Sequence, residues 1–173
     1  GLMNTAIRSN DPVLVLEHVD LYGGTGMVPE YDLDFYIPFG KAAIRRLGER
    51  VTILTYLSMV ERCLEAAEEA GVDAEVIDLR SLDRASLDWA TITASVQKTR
   101  NVLIAEQGAR GTSYGAMLAD EMQRRCFGVL NQPIRRVTGG EASPAISKVL
   151  ERAACAGKEE VIDALRAYFS GKA

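Results

Sequence analysis

Gly108-Ala-Arg-Gly111-Thr-Ser113-Tyr-Gly115 is the stretch whose residue types best suit anion chemistry. It follows an apolar run and opens a helical pattern, so free amides and the helix dipole there could hold a phosphate, with Thr112 or Ser113 adding a hydroxyl. The spacing is neither G-x-G-x-x-G nor a phosphate loop ending in G-K-[ST]. A tight strand-to-helix turn with a hydroxyl cap explains the same residues. Gly23, Gly24 and Gly26 precede no apolar helix, and Asp32 with Asp34 form a D-x-D without a third oxygen ligand; both read as solvated turns. His18 ends the apolar run VLVLE, where a parallel sheet would open its ligand crevice. As the one histidine of the chain it could orient a substrate or switch an interface, or serve as a hydrogen-bonded structural residue. Arg135 and Arg136 adjoin the last strand and suit a salt bridge to another subunit.

No catalytic set emerges from this inventory. One histidine excludes a histidine-based metal cluster, and Cys63, Cys126 and Cys155 form no C-x-x-C pair. Reduced thiols in a cytoplasmic protein are the expectation. Lys and Arg total 20 against 24 Asp and Glu, a balance that opposes a nucleic-acid partner, which requires a basic stripe. No apolar run approaches the roughly 18 residues of a membrane span. The 173 residues, 47% hydrophobic and 25% charged, are enough for one domain with a proper core and part of a neighbour.

The elements that must position these residues follow from periodicity. Residues 1–9 read as the end of an amphipathic helix without a start signal, and 13–17 as a short buried strand. The Gly-, Pro- and Tyr-rich stretch from His18 to Pro38 reads as an inter-domain linker. From residue 38 the pattern is regular. Strands over 42–47 and 51–56, joined by a tight turn at Gly48-Glu49, are expected to pair antiparallel. Ser58 with Glu61 suggests a capping box for a helix that Gly71 ends. A strand over 74–79, a helix over 88–99, a strand over 101–106, a helix over 113–125, a strand over 134–138 and a helix over 159–169 complete the chain. Alternation of this kind predicts a three-layer α/β/α domain on a five-stranded, mostly parallel sheet with its first strand antiparallel. The last helix carries Val161, Ile162, Leu165, Tyr168 and Phe169 as an apolar stripe; Tyr168 and Phe169 could extend into an interface.

Several strings, taken in order, resemble one family: GLMNTAIRSNDPVLVLEH, LYGG, VPEYDLDFYIPFGKA, VTILTYLSMVERCLEAAEE, AEVIDLRSL and PIRRVTGGE. They resemble the beta subunit of the thiamine-diphosphate-dependent component of 2-oxo acid dehydrogenase complexes. The resemblance implies that residues 1–37 are the tail of a pyrimidine-binding domain plus a linker, and residues 38–173 a transketolase C-terminal-like domain. It implies an intact enzyme that uses thiamine diphosphate and Mg2+ to decarboxylate a 2-oxo acid, pyruvate favoured, and passes the acyl group to a lipoyl arm. Its implied partners are an alpha subunit or region, a second beta chain and the acyltransferase component. It locates the cofactor carboxylate outside these residues, so this chain is expected to bind no cofactor and to lack turnover alone. His18, Tyr22, Arg135, Arg136, Tyr168 and Phe169 are the interface candidates under that expectation. The family often continues V-T-G with a Pro-rich segment, where this sequence has only Pro144. Two other readings stand beside it: a phosphate- or nucleotide-binding module using Gly108–Gly115, and the equivalent domain of a transketolase-type enzyme.

Overall fold

The computed structural model describes residues 1–141 and 145–170, so Pro144 lies outside the described residues. Its elements are α1 (Leu2–Arg8), β1 (Ala43–Arg46), β2 (Val51–Thr55), α2 (Met59–Ala70), β3 (Ala74–Asp78) and α3 (Trp89–Thr99). They continue with β4 (Val102–Ala109), α4 (Tyr114–Cys126), β5 (Arg135–Gly139), α5 (Lys148–Ala154) and α6 (Lys158–Phe169). The five strands form one sheet in the order β1-β3-β2-β4-β5. The strands β3, β2, β4 and β5 run parallel to one another and β1 runs antiparallel to β3, a mostly parallel sheet with its first strand antiparallel as the alternation predicts.

Strand alternation sends side chains to both faces, and both faces are covered. Val51, Ile53, Val76, Leu103 and Ala105 meet Cys63, Ala66 and Ala67 of α2 and Val161 and Leu165 of α6. Leu54, Ile77, Val102 and Ile104 point the other way, against Ile92 and Val96 of α3 and Leu118 and Met122 of α4. Helix starts and stops follow local chemistry. Asp88 caps α3 by accepting the Thr91 amide at 3.2 Å, and Gly71 closes α2 in the left-handed region at φ 65°.

Three expectations are corrected. The strand β1 pairs with β3, Ala43 opposite Asp78, and makes no ladder with β2. The Gly48-Glu49 turn does not fold back as a hairpin, because it is laid against the start of β3. A Cβ on Gly48 would stand 2.3 Å from the Ala74 carbonyl carbon, and the Glu49 amide donates to the Asp73 carboxylate at 3.0 Å. That close crossing carries the chain past β3, which then fills the gap between β1 and β2. Ser58 does not build a capping box, since its hydroxyl donates to Gln107 Oε1 at 3.0 Å while Glu61 pairs with Arg45 at 3.1 Å. Residues 13–17 form no strand; with no ladder partner, Leu14 and Leu16 stay exposed. The short helix α5 was not expected at all. Before the sheet, α1 is tied to residues 33–37, with Asn4 Nδ2 donating to the Phe35 carbonyl (2.8 Å) and Thr5 Oγ1 to that of Ile37 (2.6 Å).

Candidate functional site

In an open parallel sheet the place for a ligand is the carboxyl edge where the strand order reverses. Here that is the junction of β2 and β4, since β2 leads to β3 on one side and β3 leads across to β4 on the other. The side chains gathered there are Tyr56 after β2, Glu106 on β4, Ser113 and Gly115 at the start of α4, and Arg136 on β5. Glu106 is fully buried. Its Oε2 accepts the Tyr56 hydroxyl at 3.0 Å and the Gly115 amide at 2.7 Å. Its Oε1 accepts the Ser113 hydroxyl at 2.7 Å and Arg136 Nη2 at 3.1 Å. Arg136 Nη2 also reaches the Arg110 carbonyl at 3.0 Å, while its Nε is buried with no partner among the described residues.

The geometry decides what this cluster can do. A carboxylate with two donors on each oxygen has no acceptor position left for an incoming proton or ligand. Burial, then the Glu106 charge, pushes the Tyr56 hydroxyl above its ordinary range, and burial pushes Tyr114 up to about 12; neither can act as a base near neutrality. The two rings meet edge-on at 6.3 Å. The cluster is therefore a fastening between β2, β4, α4 and β5. Gly115 is required by it, because a Cβ there would stand 2.1 Å from Glu106 Oε1. Backbone at the same edge is unusual as well: Leu57 and Arg80, just past β2 and β3, have φ 53° and 58°.

This arrangement corrects the phosphate-loop reading. The Ser113 hydroxyl and the Gly115 amide of α4 are already spent on an internal anion, Glu106. Gly108 stands against Ser113, where an added Cβ would meet that residue's Cβ at 2.9 Å, and Gly111 faces open space. The interface candidates separate. Arg136 is an internal partner of Glu106, and Tyr168 is buried, its hydroxyl donating to the Val102 carbonyl (3.3 Å) and accepting that residue's amide (3.1 Å). Neither projects outward. Arg135 lies 4.9 Å from the Tyr168 ring, and Phe169 packs against the α2–α6 core under Arg50 at 4.2 Å. His18 precedes a single 3-10 turn over Val19–Leu21, its Nδ1 accepting the Asp20 amide at 3.2 Å. Asp20 in turn takes Arg62 Nη2 at 3.3 Å, which pins this segment to α2. Tyr22 is exposed and donates to Glu17 at 2.8 Å.

Glu106 and Tyr56 escaped the reading of the sequence. The available signal was a carboxylate ending the apolar run NVLIAE two residues before Gly108. Among the described residues no three His, Cys, Asp or Glu side chains could jointly hold a metal ion, and no helix is long and apolar enough to cross a membrane. The donor set at the carboxyl edge thus fits neither a divalent cation nor a cofactor that needs a free carboxylate.

The architecture and this edge can be set beside known proteins. Residues 40–161 match the family model described as transketolase, C-terminal domain. The chain belongs to this family. The fold agrees with a split-gene transketolase solved as an inactive beta4 tetramer, at a TM-score of 0.62 and 23% identity, covering 77% of this chain and 42% of that one. In sequence the chain is 40% identical over 169 residues to the pyruvate dehydrogenase E1 component subunit beta-1, mitochondrial, of Arabidopsis thaliana, covering 95% of this chain and 46% of the relative. It is 42% identical over 156 residues to the 2-oxoisovalerate dehydrogenase subunit beta of Pseudomonas aeruginosa, covering 80% of this chain and 43% of the relative. The chain spans about half the length of these relatives.

Proposed function

We propose that residues 38–173 are the assembly domain of the beta chain of a 2-oxo acid dehydrogenase, with residues 1–37 the tail of the preceding domain. The observation that carries this reading is the 40% identity to a pyruvate dehydrogenase beta subunit along 95% of the chain. In this reading the intact enzyme decarboxylates a 2-oxo acid, pyruvate favoured, and thiamine diphosphate with Mg2+ supplies the electron sink. The alpha subunit or region, a second beta chain and the acyltransferase component are its partners, and the cytoplasm its compartment. In this reading the cofactor is seated elsewhere in the intact enzyme, and the internal bonding of Glu106 to Tyr56, Ser113, Gly115 and Arg136 supports it. What the domain contributes is a rigid sheet that holds neighbouring chains in place.

The exposed apolar side chains support the same reading. Leu14, Met27, Tyr31 and Leu33 in the first segment and Ile146 and Val149 beside and on α5 are largely exposed. Exposed large apolar side chains in this number are what a surface made for another polypeptide carries. The test is a chimera in which this chain replaces the matching half of the Arabidopsis subunit, coexpressed with its alpha partner. Co-purification with the alpha chain and pyruvate decarboxylation are expected. A folded chimera that stays free of the alpha chain contradicts the proposal.

A further inference from the structure

Glu121, on α4, is buried, and three arginines converge on its carboxylate. Arg84, from the loop before α3, donates Nε to Oε1 at 3.1 Å and also Nη2 to the same oxygen. Arg124 Nη1 reaches Oε1 at 3.0 Å and Arg125 Nε reaches Oε2 at 3.1 Å. The Arg125 guanidinium also lies 4.2 Å over the ring of Trp89, whose Nε1 donates to the Arg84 carbonyl. One carboxylate anchors the three stems, and the rest of each guanidinium faces solvent: the side chains of Arg84, Arg124 and Arg125 are 62%, 63% and 41% exposed. Arg84 Nη1, Arg124 Nε and Nη2, and Arg125 Nη1 and Nη2 have no acceptor among the described residues.

Two other acids stand near. Asp83 turns its carboxylate to the Ser86 amide at 3.0 Å, and Asp120 offsets part of the Arg84 charge. The cluster thus offers directed, unspent N–H forks more than a broad positive field, on a chain whose formal net charge is -4. Guanidinium forks held in place lose little freedom when they bind, and they match carboxylates bidentately. The residues lie on an outward face and share it with an aromatic ring, the composition of a protein-binding hot spot.

We propose that Arg84, Arg124, Arg125 and Trp89 form a docking surface for an acidic segment of a partner protein. It is independent of the assembly reading above and uses none of the carboxyl-edge residues.

The test uses the full chain and a fluorescein-labelled hexaglutamate peptide, followed by anisotropy, with the emission of Trp89, the single tryptophan, as a local reporter. Saturable binding at low ionic strength with a concurrent change in Trp89 emission is expected, weakening about tenfold as salt rises from about 20 to 300 mM. Arg84→Gln with Arg124→Gln, which leaves Arg125 on Glu121, should weaken binding about tenfold. Should that double variant unfold, Asp120→Asn decides: removing the offsetting charge should tighten binding about two- to threefold. Absence of saturable binding, binding without a Trp89 response, or unchanged affinity in either variant overturns the proposal. Displacement by inorganic phosphate at matched ionic strength also overturns it, because a small anion would then be the occupant.

Discussion

Glu106 and Glu121 are both buried carboxylates: Glu106 is held by two hydroxyls, an amide and Arg136, and Glu121 by Arg84 and by Arg124 and Arg125 of its own helix. At Glu106 the two oxygens satisfy four donors, so replacing one oxygen with an amide sets N–H against N–H and strips Arg136 of its charge partner. Glu106→Gln is expected to lower unfolding stability by about 3 kcal/mol, read as a fall in the urea midpoint at unchanged slope. Glu121 responds to pH. The Arg84 hydrogen bonds, against the opposing effect of burial and with help from Arg125, hold its carboxyl below the ordinary range. A depressed folded pKa stabilises the folded chain above the unfolded value of about 4.3, and that contribution disappears as pH falls through the folded value. Stability measured against pH should therefore show Glu121→Gln weaker than the parent at neutrality, with the gap closing in acid. A gap constant from neutral to acid pH would contradict the assignment.

At the scale of elements, the crossing of Gly48 over the start of β3 decides which strand stands next to β1. Gly48→Ala forces a Cβ against the backbone of Ala74 and Glu75, which cannot move aside as a side-chain tip would. A loss of about 2 kcal/mol is expected by thermal or chemical unfolding, where an ordinary exposed turn would lose little. The individual elements were legible because their signals are local. Short apolar runs marked β2 and β4, and Gly71 marked the end of α2. The β1–β3 pairing was not legible, because a short Gly-containing turn looks the same whether it folds back as a hairpin or crosses a third strand. The Ser58–Glu61 spacing misled for a related reason: each side chain found a stronger partner from another element, Gln107 and Arg45. The carboxyl-edge cluster was equally hidden, since Tyr56 and Glu106 stand 50 positions apart and meet only after the sheet forms.

At the scale of the whole molecule, two features define the account. The buried carboxylate at the carboxyl edge, Glu106, is bonded internally, and the surface leaves apolar side chains of the first segment and of α5 uncovered. Under the proposed assembly role, the chemistry of the intact enzyme would reside in other chains and regions. Isothermal titration calorimetry of thiamine diphosphate with Mg2+ into this chain tests that claim most directly. No saturable heat is expected at about millimolar ligand, a concentration at which even a weak specific site would register. A one-to-one isotherm in the micromolar range would contradict the account, because it would place a cofactor seat within this chain.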